Sequence, residues 1–582
     1  MLGILNQFHR RPICTFIFRN GIAMQTRDLL ASDEKNRKII SDNNIKDSMR
    51  KKQFSEILRG WFVYKLFTFD KLVENSDNLT KIAQKVFGAK LFEKLLKMTI
   101  YGHFVAGEEK SEVMQCISKL REGGIKCVLD YSAEEDVLDE DKVSHEIRAK
   151  LKVEFTSSGL TEEDLQSSTK EFRTTEQAGV SVKQASARTY FYENEIKCDK
   201  NRDIFMECIR LAAASTEKGK GFAALKITAL SNPNMLLKFS EKFKLRQDLF
   251  FKLATDKNSN SLYSQPALIS QESFSKGLAD LGFTITQQTQ QDMFSQLKYE
   301  NASTINTGIW QDLYTEDTEL YELMKSQEST KHYAPVLRPV RKVEYGRAIE
   351  RLITLAEYSK ALKVRLMIDA EQSYFQDAIN YITVHYLMPK YNQQFPTIFN
   401  THQCYLRRSY ENVLNDIEYA EIRGFKYGLK LVRGAYMGQE RTRSRELNYP
   451  DPILPNIEAT HEMYHTVMEI CLNKVKLRLV NLMIASHNKD SVERAVELMR
   501  DLSISPKDGV AFGQLLGMCD YISFPLAQSG YQVYKYTPYG PIKEVIPYLA
   551  RRALENRGLL KGADFERKVL GEELKRRLFT WS

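Results

Sequence analysis

Charged side chains stand within or just after several short apolar segments of the chain. Lys226 lies inside the apolar segment Ala224–Leu230, Asp369 follows another such segment, and Lys430 and Arg433 belong to a third. A lysine in an apolar segment is costly unless its ammonium group is paired, so Asp369 is a plausible partner of Lys226. Such a pair can be purely structural. Several cations on one surface can instead bind an anion, and the planar guanidinium of arginine suits a carboxylate or a phosphate.

Two adjacent arginines, Arg551 and Arg552, add to these cations. Arg551 and Glu555 are four residues apart, so they could form an ordinary ion pair on a solvated helix. Together with the lysines named above, the arginines favour a site that attracts an anion. Other polar residues also end apolar segments, and these are Thr401, His402, Gln403, Ser486, His487 and Asn488.

These residues fall at the ends of short apolar runs that mostly alternate with helical patterns. Eight such runs occur: Ile125–Asp130, Phe222–Leu230, Val364–Glu371, Thr397–Gln403, Tyr427–Gly434, Leu479–His487, Val510–Gly517 and Gln532–Tyr536. Apolar strands that alternate with helices predict a parallel sheet covered on both faces. Eight such units predict a closed (β/α)8 barrel rather than an open sheet. Functional groups of such barrels gather at the carboxyl ends of the strands, where the candidate residues lie.

Long intervals between the predicted strands divide the chain further. The predicted parts are a helical arm at 28–120, the first barrel strands with a helical insertion at 121–230, a second helical insertion at 231–360, the main catalytic part of the barrel at 361–560 and a helical tail at 561–582. In the second insertion, the stretch 256–260 resembles the opening of an EF-hand loop. Ser261 and Ala267 replace the glycine and the glutamate of that loop, so calcium affinity should be poor.

The composition is that of a globular protein with a modest excess of positive charge. Of the 582 residues, 43% are hydrophobic and 27% are charged, and the formal charge is 84 − 75 = +9. The basic residues are spread along the chain, so nothing predicts nucleic-acid binding, whereas an anionic membrane surface or an acidic substrate is compatible. The sequence contains no uninterrupted apolar run of about 18 residues, so it predicts no transmembrane helix. The eight cysteines show no CxxC or zinc spacing and are predicted to be reduced, mostly buried thiols.

Residues 1–27 differ in composition from the rest of the chain. They contain four arginines and no acidic residue, with apolar clusters such as Ile13–Ile17 between the arginines. A disordered basic tail can have a similar composition. An arginine-rich, acid-free and amphipathic start favours a mitochondrial presequence.

Two short motifs point to other chemistry but conflict with the predicted barrel. The segment His461–His465 matches the HExxH pattern of zinc peptidases. No third ligand follows at the expected spacing, and the segment lies between the fifth and sixth strands, so a surface helix is predicted. The segment Gly219–Ala224 matches the dinucleotide pattern GxGxxA. Its glycines precede a strand instead of following one, so a loop is predicted.

Six segments together resemble the proline dehydrogenase family in its eukaryotic mitochondrial form. They are Asp369–Glu371, Lys430–Tyr436, Ser486–Asn488, Phe512–Met518, Tyr536–Gly540 and Arg551–Asn556. The resemblance implies a distorted (β/α)8 barrel that holds FAD without a Rossmann domain. It also implies oxidation of L-proline to Δ1-pyrroline-5-carboxylate, with electrons passed to ubiquinone on the matrix side of the inner mitochondrial membrane. A dehydrogenase that consumes pyrroline-5-carboxylate is an implied recipient of the product.

The resemblance also implies roles for individual residues. The carboxylate of proline is implied to bind Arg551, Arg552 and Lys226, and Asp369 is implied to hold Lys226. The side chains implied to pack against the pyrrolidine ring are Tyr436, Leu515 and Tyr536. Those implied to line the FAD site are Gln403, Lys430, Val432, Arg433, Ala435, Ser486, His487, Arg552 and Glu555. Hydride would pass from the ring carbon beside nitrogen to flavin N5, with orientation from the bound carboxylate and no protein base.

Three other functions stay open at this level. Hydroxyproline oxidation belongs to the same family, although Tyr536 leaves little room for a 4-hydroxyl group. A zinc peptidase built on the HExxH pattern would contain metal and be colourless, whereas a flavoprotein is yellow. A non-catalytic barrel is disfavoured by the intact set of charged strand ends.

Overall fold

A computed structural model describes most of the chain. The described residues are 38–69, 85–86, 88–132, 195–217, 219–254, 262–263, 266–299, 302–546, 548–549, 552 and 560–579. The predicted presequence, the EF-hand-like stretch at 256–260 and most of the interval between the first two strands lie outside the described residues.

Eight parallel strands form one closed barrel, in sequence order from β1 to β8. Their bounds are Lys126–Tyr131 (β1), Gly221–Leu225 (β2), Val364–Ile368 (β3), Ile398–Gln403 (β4), Tyr427–Val432 (β5), Val480–Ala485 (β6), Val510–Leu515 (β7) and Val533–Tyr539 (β8). The barrel closes between the first and last strands, where Val128 pairs with Tyr536. The predicted fold class is confirmed, and each predicted strand overlaps an observed one.

The second strand is shorter than predicted. It ends at Leu225, and Ile227–Ala229 form a 3-10 turn. The prediction that Lys226 lies inside a strand is therefore wrong. The chain turns here because the carboxylate of Glu371 accepts hydrogen bonds from the backbone N–H and the hydroxyl of Thr228, at 3.1 and 2.6 Å. Lys226 consequently stands at the barrel mouth, just beyond the strand.

Alternation along the strands separates an apolar layer from a polar layer inside the barrel. The apolar layer consists of Val128, Phe222, Ala224, Met367, Phe399, Met483, Ala511 and Tyr534. Successive side chains of a strand point to opposite faces, so a residue two positions further along faces the interior again. Asp369 lies two residues after Met367, and Tyr536 lies two residues after Tyr534. The strand period thus points these polar side chains into the mouth.

Helices cover the barrel and occur in the described parts of the predicted arm and second insertion. Before β3 they are Asp42–Arg50 (α1), Phe54–Leu66 (α2), Ala89–Met98 (α3), Ile100–Phe104 (α4), Lys110–Glu122 (α5), Glu195–Ser215 (α6), Pro233–Leu253 (α7), Gln271–Asp280 (α8), Gln287–Gln296 (α9), Thr307–Leu313 (α10), Glu319–Lys325 (α11) and Pro339–Leu362 (α12). After β3 they are Ser373–Asn380 (α13), Met388–Tyr391 (α14), Ser409–Arg423 (α15), Met437–Glu446 (α16), Ile457–Lys476 (α17), Lys489–Asp501 (α18), Asp520–Gln528 (α19) and Leu560–Phe579 (α20). A π-helix, Tyr381–Leu387, joins α13 to α14.

The second insertion has a hydrophobic core of its own, in which Phe274 and Trp310 are fully buried. Helices α7 and α8 flank one loop, and α9 and α10 flank another. The two loops pair antiparallel, with the N–H of Ile269 donating to the carbonyl of Ile305 at 2.8 Å and the reverse bond at 2.9 Å. Each unit thus has the helix–loop–helix order of an EF-hand. Within the described residues, no three His, Cys, Asp or Glu side chains are arranged to hold a metal ion.

The N-terminal arm and the C-terminal helix meet at the turn between β7 and α19. Four charged residues, Lys52, Asp520, Lys535 and Glu566, form a cluster there that we name the latch. Both lysines bind the carboxylate of Asp520, Lys535 at 2.7 Å. The carboxylate of Glu566 accepts the backbone N–H groups of Cys519 and Asp520, at 2.6 and 2.9 Å. The latch therefore ties the N-terminal arm and α20 to the end of β7.

Several smaller predictions can be checked directly. The seven described cysteines are free thiols and six of them are buried, as predicted. His461–His465 lies within α17, as predicted. Gly219 precedes β2, as predicted, whereas Gly221 is the first residue of that strand. The part of the chain that the structure describes contains no helix with the length and apolarity to cross a membrane.

Candidate active site

The carboxylate of Asp369 is the centre of a buried polar cluster at the carboxyl ends of the strands. The ammonium group of Lys430 donates to Oδ1, and the hydroxyl of Tyr536 donates to Oδ2 at 2.8 Å. The Nζ atom of Lys226 lies 3.9 Å from the same Oδ2. Barrel closure therefore brings together residues from β5 and β8 and from the ends of β2 and β3.

The lysines of this cluster determine the ionisation of Asp369. Burial raises the pKa of Asp369, but the charges of Lys430 and Lys226, with the hydrogen bonds from Lys430 and Tyr536, outweigh burial and lower it overall. Asp369 is therefore ionised at neutral pH. Burial, reinforced by the charges of Asp130 and Asp369, raises the pKa of Tyr536 well above its usual value. Tyr536 consequently remains a hydrogen-bond donor.

The geometry refines one pairing that the resemblance implied. Asp369 was expected to hold Lys226, with Lys430 assigned to the flavin. In the structure Asp369 accepts its direct lysine hydrogen bond from Lys430, and Lys226 is farther away, at 3.9 Å. Lys430 and Val432 lie on the same side of β5, because strand residues two apart share a face. Both lysines face the same barrel mouth, so the sequence could not show which of them lies closer to Asp369.

Glu371 organises the turn beside Asp369, although the sequence assigned it no role of its own. It is fully buried. Its backbone carbonyl accepts a hydrogen bond from Nε2 of Gln403 at 2.8 Å, and its N–H donates to Oε1 of Gln376 at 2.9 Å. Burial raises the pKa of Glu371 to about 7, against the hydrogen bonds from Thr228. Gln403, expected at the FAD site, is thereby oriented by this turn.

Arg433 follows the end of β5 and is held by side chains from two helices and one strand end. Its Nε donates to Nδ1 of His461 at 2.9 Å, and its Nη atoms donate to Ser486 at 3.0 Å and to Ser491 at 2.8 Å. Its guanidinium also lies 4.3 Å from the ring centre of Tyr464. The structure thus brings together Arg433 and Ser486, two residues expected to line the FAD site.

The HExxH segment contributes to this network. His461 contacts Arg433 as described, and Nε2 of His465 lies 2.8 Å from the hydroxyl of Ser491. Burial, followed by the charge of Arg433, lowers the pKa of His465 to about 4. The helix is on the surface as predicted, but its histidines hold Arg433 in place. Their i,i+4 spacing on one helix face was the available signal.

His487 links the ends of β6 and β7. Its Nε2 accepts the backbone N–H of Leu515 at 3.0 Å, so the proton of the neutral ring is on Nδ1. Burial, followed by the charges of Lys535 and Arg552, lowers the pKa of His487 to about 3. The residue therefore holds Leu515, expected at the substrate ring, and presents one N–H donor.

Tyr436 stands in a tight turn after β5. Its hydroxyl donates to the backbone carbonyl of Ala370, and its N–H donates to the hydroxyl of Tyr405, both at 3.3 Å. Gly434 adopts φ 136°, and a Cβ atom there would lie 2.5 Å from the ring of Tyr405. Only glycine avoids that clash and strain. Ala435, expected at the FAD site, is exposed.

Arg552 is buried, and its guanidinium lies 4.8 Å from the ring centre of Tyr548. Its charge acts on His487, which places it at the same end of the barrel. Arg551 and Glu555 lie outside the described residues.

One strand-end acid was not predicted as a site residue. Asp130 is buried near the end of β1, accepts a hydrogen bond from the hydroxyl of Ser132, and acts on Tyr536 through its charge. It ended the first predicted apolar run, so the rule that barrel chemistry lies at strand ends could have included it.

Known proteins are similar to this chain over most of its length. The sequence profile described as "Proline dehydrogenase" matches residues 113–562, which include all eight strands. The chain belongs to the proline dehydrogenase family. A Homo sapiens relative named "Proline dehydrogenase 1, mitochondrial" is 39% identical over 92% of this chain and 89% of its own length. A Drosophila melanogaster relative of the same name is 37% identical over 93% of this chain and 81% of its own.

Proline dehydrogenase relatives also include a protein with a different name. A Xenopus laevis protein named "Hydroxyproline dehydrogenase" is 30% identical over 90% of this chain and 87% of its own length. A solved structure of proline utilization A from Bdellovibrio bacteriovorus, inactivated by N-propargylglycine, matches with a TM-score of 0.50 and 16% identity. That match covers 96% of this chain but 44% of the other protein, and it concerns the fold alone.

Proposed function

We propose that this proline dehydrogenase oxidises L-proline to Δ1-pyrroline-5-carboxylate with FAD as its cofactor. The observation that carries the proposal is the excess of positive charge at the barrel mouth. The described cations at this end are Lys226, Lys430, Arg433 and Arg552, and the acids beside them are Asp130, Asp369 and Glu371. Because the pKa of Glu371 is about 7, a positive potential remains that suits the carboxylate of an amino acid.

In this proposal, Arg552, Arg551 and Lys226 bind the carboxylate of proline. Arginine can do so with two parallel hydrogen bonds, and Lys226 adds a point charge. Asp369 positions the mouth by accepting from Lys430 and from Tyr536. The rings of Tyr436 and Tyr536 and the side chain of Leu515 pack against the pyrrolidine ring.

The described residues fit a flavin nucleotide. The ends of β4, β5 and β6 present hydrogen-bond donors suited to its carbonyl and phosphate oxygens, and these are Gln403, Lys430, Arg433, Ser486 and His487. The Nδ1–H of His487 is a donor because Nε2 is occupied by the N–H of Leu515. We assign FAD to the 361–560 part of the barrel, with Val432, Ala435 and Glu555 completing its site.

When bound, FAD would supply the two-electron oxidation of the carbon next to the proline nitrogen. The residues of the chain orient that carbon by holding the carboxylate. The substrate amine must be neutral for its lone pair to assist. Tyr536 keeps its proton because its pKa is raised, and Nε2 of His487 is already an acceptor. We therefore assign no protein general base.

We further propose that the electrons pass to ubiquinone on the matrix side of the inner mitochondrial membrane. The arginine-rich, acid-free residues 1–27 support import as a presequence. The relatives named mitochondrial support the same compartment. A dehydrogenase that consumes pyrroline-5-carboxylate would receive the product.

Anaerobic addition of L-proline to the purified protein tests this function. We expect a yellow protein whose flavin absorbance bleaches when proline is added and returns when a quinone is added. Correctly folded protein that holds no flavin after purification and after incubation with FAD would contradict the proposal.

Hydroxyproline is the second candidate substrate, because relatives of that name match at 30% identity. Tyr536 argues for proline, since its hydroxyl is held by Asp369 and its ring occupies the mouth. A site rejects an added hydroxyl group only weakly unless a bulky neighbour blocks it. The ratio of kcat/KM for the two substrates decides between them.

A further inference from the structure

Large apolar side chains are concentrated on the surface of the N-terminal arm and the end of α20. Of the 19 exposed large apolar residues among those described, 10 lie in these parts of the chain. The ten are Phe54, Leu58, Phe62, Phe69, Val86, Leu91, Leu95, Met98, Leu578 and Phe579. Contiguous exposed apolar surface on a soluble domain is typical of an interaction site.

Six of these residues form continuous faces on two helices, and we name them the arm face. On α3, Leu91, Leu95 and Met98 fall within about 60° of each other at 100° per residue. On α2, Phe54, Leu58 and Phe62 fall within about 80°. Buried residues anchor both helices, with Ile57 and Val63 inward on α2 and Phe92 inward on α3. Core packing therefore accounts for the buried apolar residues of each helix. It does not account for the apolar residues that are exposed to solvent.

Positive charge borders the arm face. Residues 85–98 contain four lysines and one glutamate, a net charge of 4 − 1 = +3, although Lys97 is paired with Glu108. Lys90 and Lys94 are exposed along one edge of the apolar side of α3, and Lys65 is exposed beside Phe69. A short amphipathic helix with lysines beside its apolar side suits the boundary between headgroups and acyl chains of an anionic bilayer.

The arm also lies against the barrel mouth. The hydroxyl of Tyr101 donates to the carbonyl of Gly540 at 2.9 Å, just after β8. Phe104 and Val105 belong to one apolar cluster with Tyr548, and Leu515 packs against that cluster. A surface that docks through the arm would therefore approach the mouth where the proposed substrate residues lie.

We infer that the arm face is the surface by which this protein binds an anionic lipid bilayer. The inference rests on the proposed function, because ubiquinone is dissolved in the bilayer and the bound arm would bring the flavin site close to it. Leu91, Leu95 and Met98 insert between the headgroups, with Lys90 and Lys94 at the phosphate level.

Vesicle binding tests this inference without reference to catalysis. The full chain is sedimented with vesicles of phosphatidylcholine and phosphatidylglycerol, and with vesicles of phosphatidylcholine alone. The variant carries Leu91→Ser, Leu95→Ser and Met98→Ser, at residues 48, 41 and 63% exposed. The matched control carries Ile422→Ser, Leu447→Ser and Leu477→Ser, at residues 42, 41 and 63% exposed on other faces. We expect the variant to lose affinity for anionic vesicles at least about tenfold and the control to keep it.

Activity assays separate this inference from the proposed function. With a water-soluble dye as acceptor, we expect the variant and the control to oxidise proline as the unmodified chain does. With ubiquinone embedded in anionic vesicles, we expect only the variant to lose activity. Absence of proline oxidation with the dye in the unmodified chain would contradict the proposed function and leave the vesicle result to decide the surface.

Three outcomes would overturn the inference. The unmodified chain fails to bind anionic vesicles, or the variant and the control bind equally well. In the third, the unmodified chain is a dimer and the variant is a monomer, while both bind vesicles. The arm face would then be an interface between two copies of the chain. Replacing Lys90 and Lys94 by glutamine gives a second test, in which weaker binding to anionic vesicles and unchanged binding to neutral ones are expected.

Discussion

Two aspartates of this protein are each placed between two lysines, yet only one of them belongs to the proposed active site. Asp369 lies at the barrel mouth with Lys430 and Lys226. Asp520 lies in the latch with Lys52 and Lys535. The two clusters thus have the same three charges. They differ in the groups that their side chains contact.

In the latch, the hydrogen-bonding groups find partners within the protein. Lys535 is fully buried and also donates to the backbone carbonyl of Met518. Glu566 takes the two backbone N–H groups at the start of α19, and Tyr64 bridges Glu566 and the carbonyl of Gly517, at 3.2 and 2.8 Å. A buried charge cluster with this many internal partners holds chain segments together and has no need of a ligand.

At the mouth, the lysines differ in how closely they are paired. Lys430 bonds directly to Asp369, whereas Lys226 is 3.9 Å from it, on a turn that Glu371 fixes. In the proposed function, Lys226 also binds the incoming carboxylate. The comparison therefore separates the two clusters by the direction of their side chains, since Asp369 and Tyr536 face the barrel interior and Lys535 lies on the other face of β8.

The sharpest test of the latch is the Asp520→Asn variant, which leaves Lys52 and Lys535 without their carboxylate. We expect the free energy of unfolding to fall by about 3–5 kcal/mol, because breaking a buried ion pair leaves an uncompensated charge. Urea denaturation measures the loss. The matched control is Asp508→Asn, at an exposed acid. Equal stability of the two variants would show that the latch does not hold the fold.

The pH dependence of stability tests the buried acid at the mouth. The folded pKa of Glu371 is about 7, above its ordinary value of 4.5, so the folded protein binds a proton that the unfolded chain releases between these values. The contribution of this group to stability is present below about pH 4.5 and is lost as the pH rises through 7, in total about 3 kcal/mol.

The Glu371→Gln variant removes this titration. The difference in unfolding free energy, variant minus unmodified chain, should therefore rise between pH 4.5 and 7 and stay level above that range. Parallel stability curves for the two proteins would contradict the raised pKa of Glu371.

Asp369→Asn should impair catalysis by the folded protein, whereas Asp520→Asn should not. Lys430 and Tyr536 lose the charge that positions them. We therefore expect kcat/KM for proline to fall roughly 30- to 150-fold, which corresponds to an activation free energy higher by about 2–3 kcal/mol. Steady-state kinetics with a soluble dye measures this. A stability loss as large as that of Asp520→Asn, with unchanged kinetics in the folded fraction, would make both clusters structural.

Arg552→Met should weaken proline binding. Loss of one charge-assisted hydrogen-bonded contact to the carboxylate should weaken binding by about 1.5–3 kcal/mol, which raises KM roughly 10- to 150-fold. The control is Arg445→Met, at an exposed arginine on α16. A near-normal KM for Arg552→Met would remove this residue from the proposed carboxylate site.

Tyr536→Ser should have the smallest effect, on selectivity. Lys535 and Tyr536 are neighbours on β8, yet one side chain belongs to the latch and the other to the mouth. Removing the phenol makes room for a 4-hydroxyl group, so the ratio of kcat/KM for hydroxyproline to that for proline should rise by about tenfold. An unchanged ratio, with an unfolding free energy like that of the unmodified chain, would show that Tyr536 does not set the choice.

Much of the fold could be predicted because its signals are local. Apolar runs of strand length that alternate with helical patterns do not depend on distant residues, so all eight strands were located. The end of β2 was misplaced because its turn depends on Glu371, which is 143 residues from Thr228. The strand-end rule likewise selected Asp369, Lys430 and Tyr536, which the structure does bring together.

The sequence by itself determined the barrel, the period that points Asp369 and Tyr536 inward, and membership of the proline dehydrogenase family. Only the tertiary structure decided that Lys430 is the closer partner of Asp369, that the HExxH histidines hold Arg433 and its serines, and that Lys535 belongs to the latch. The reason is distance along the chain. Hydrogen bonds and ion pairs act over a few ångströms, and barrel closure alone sets which remote side chains come that close.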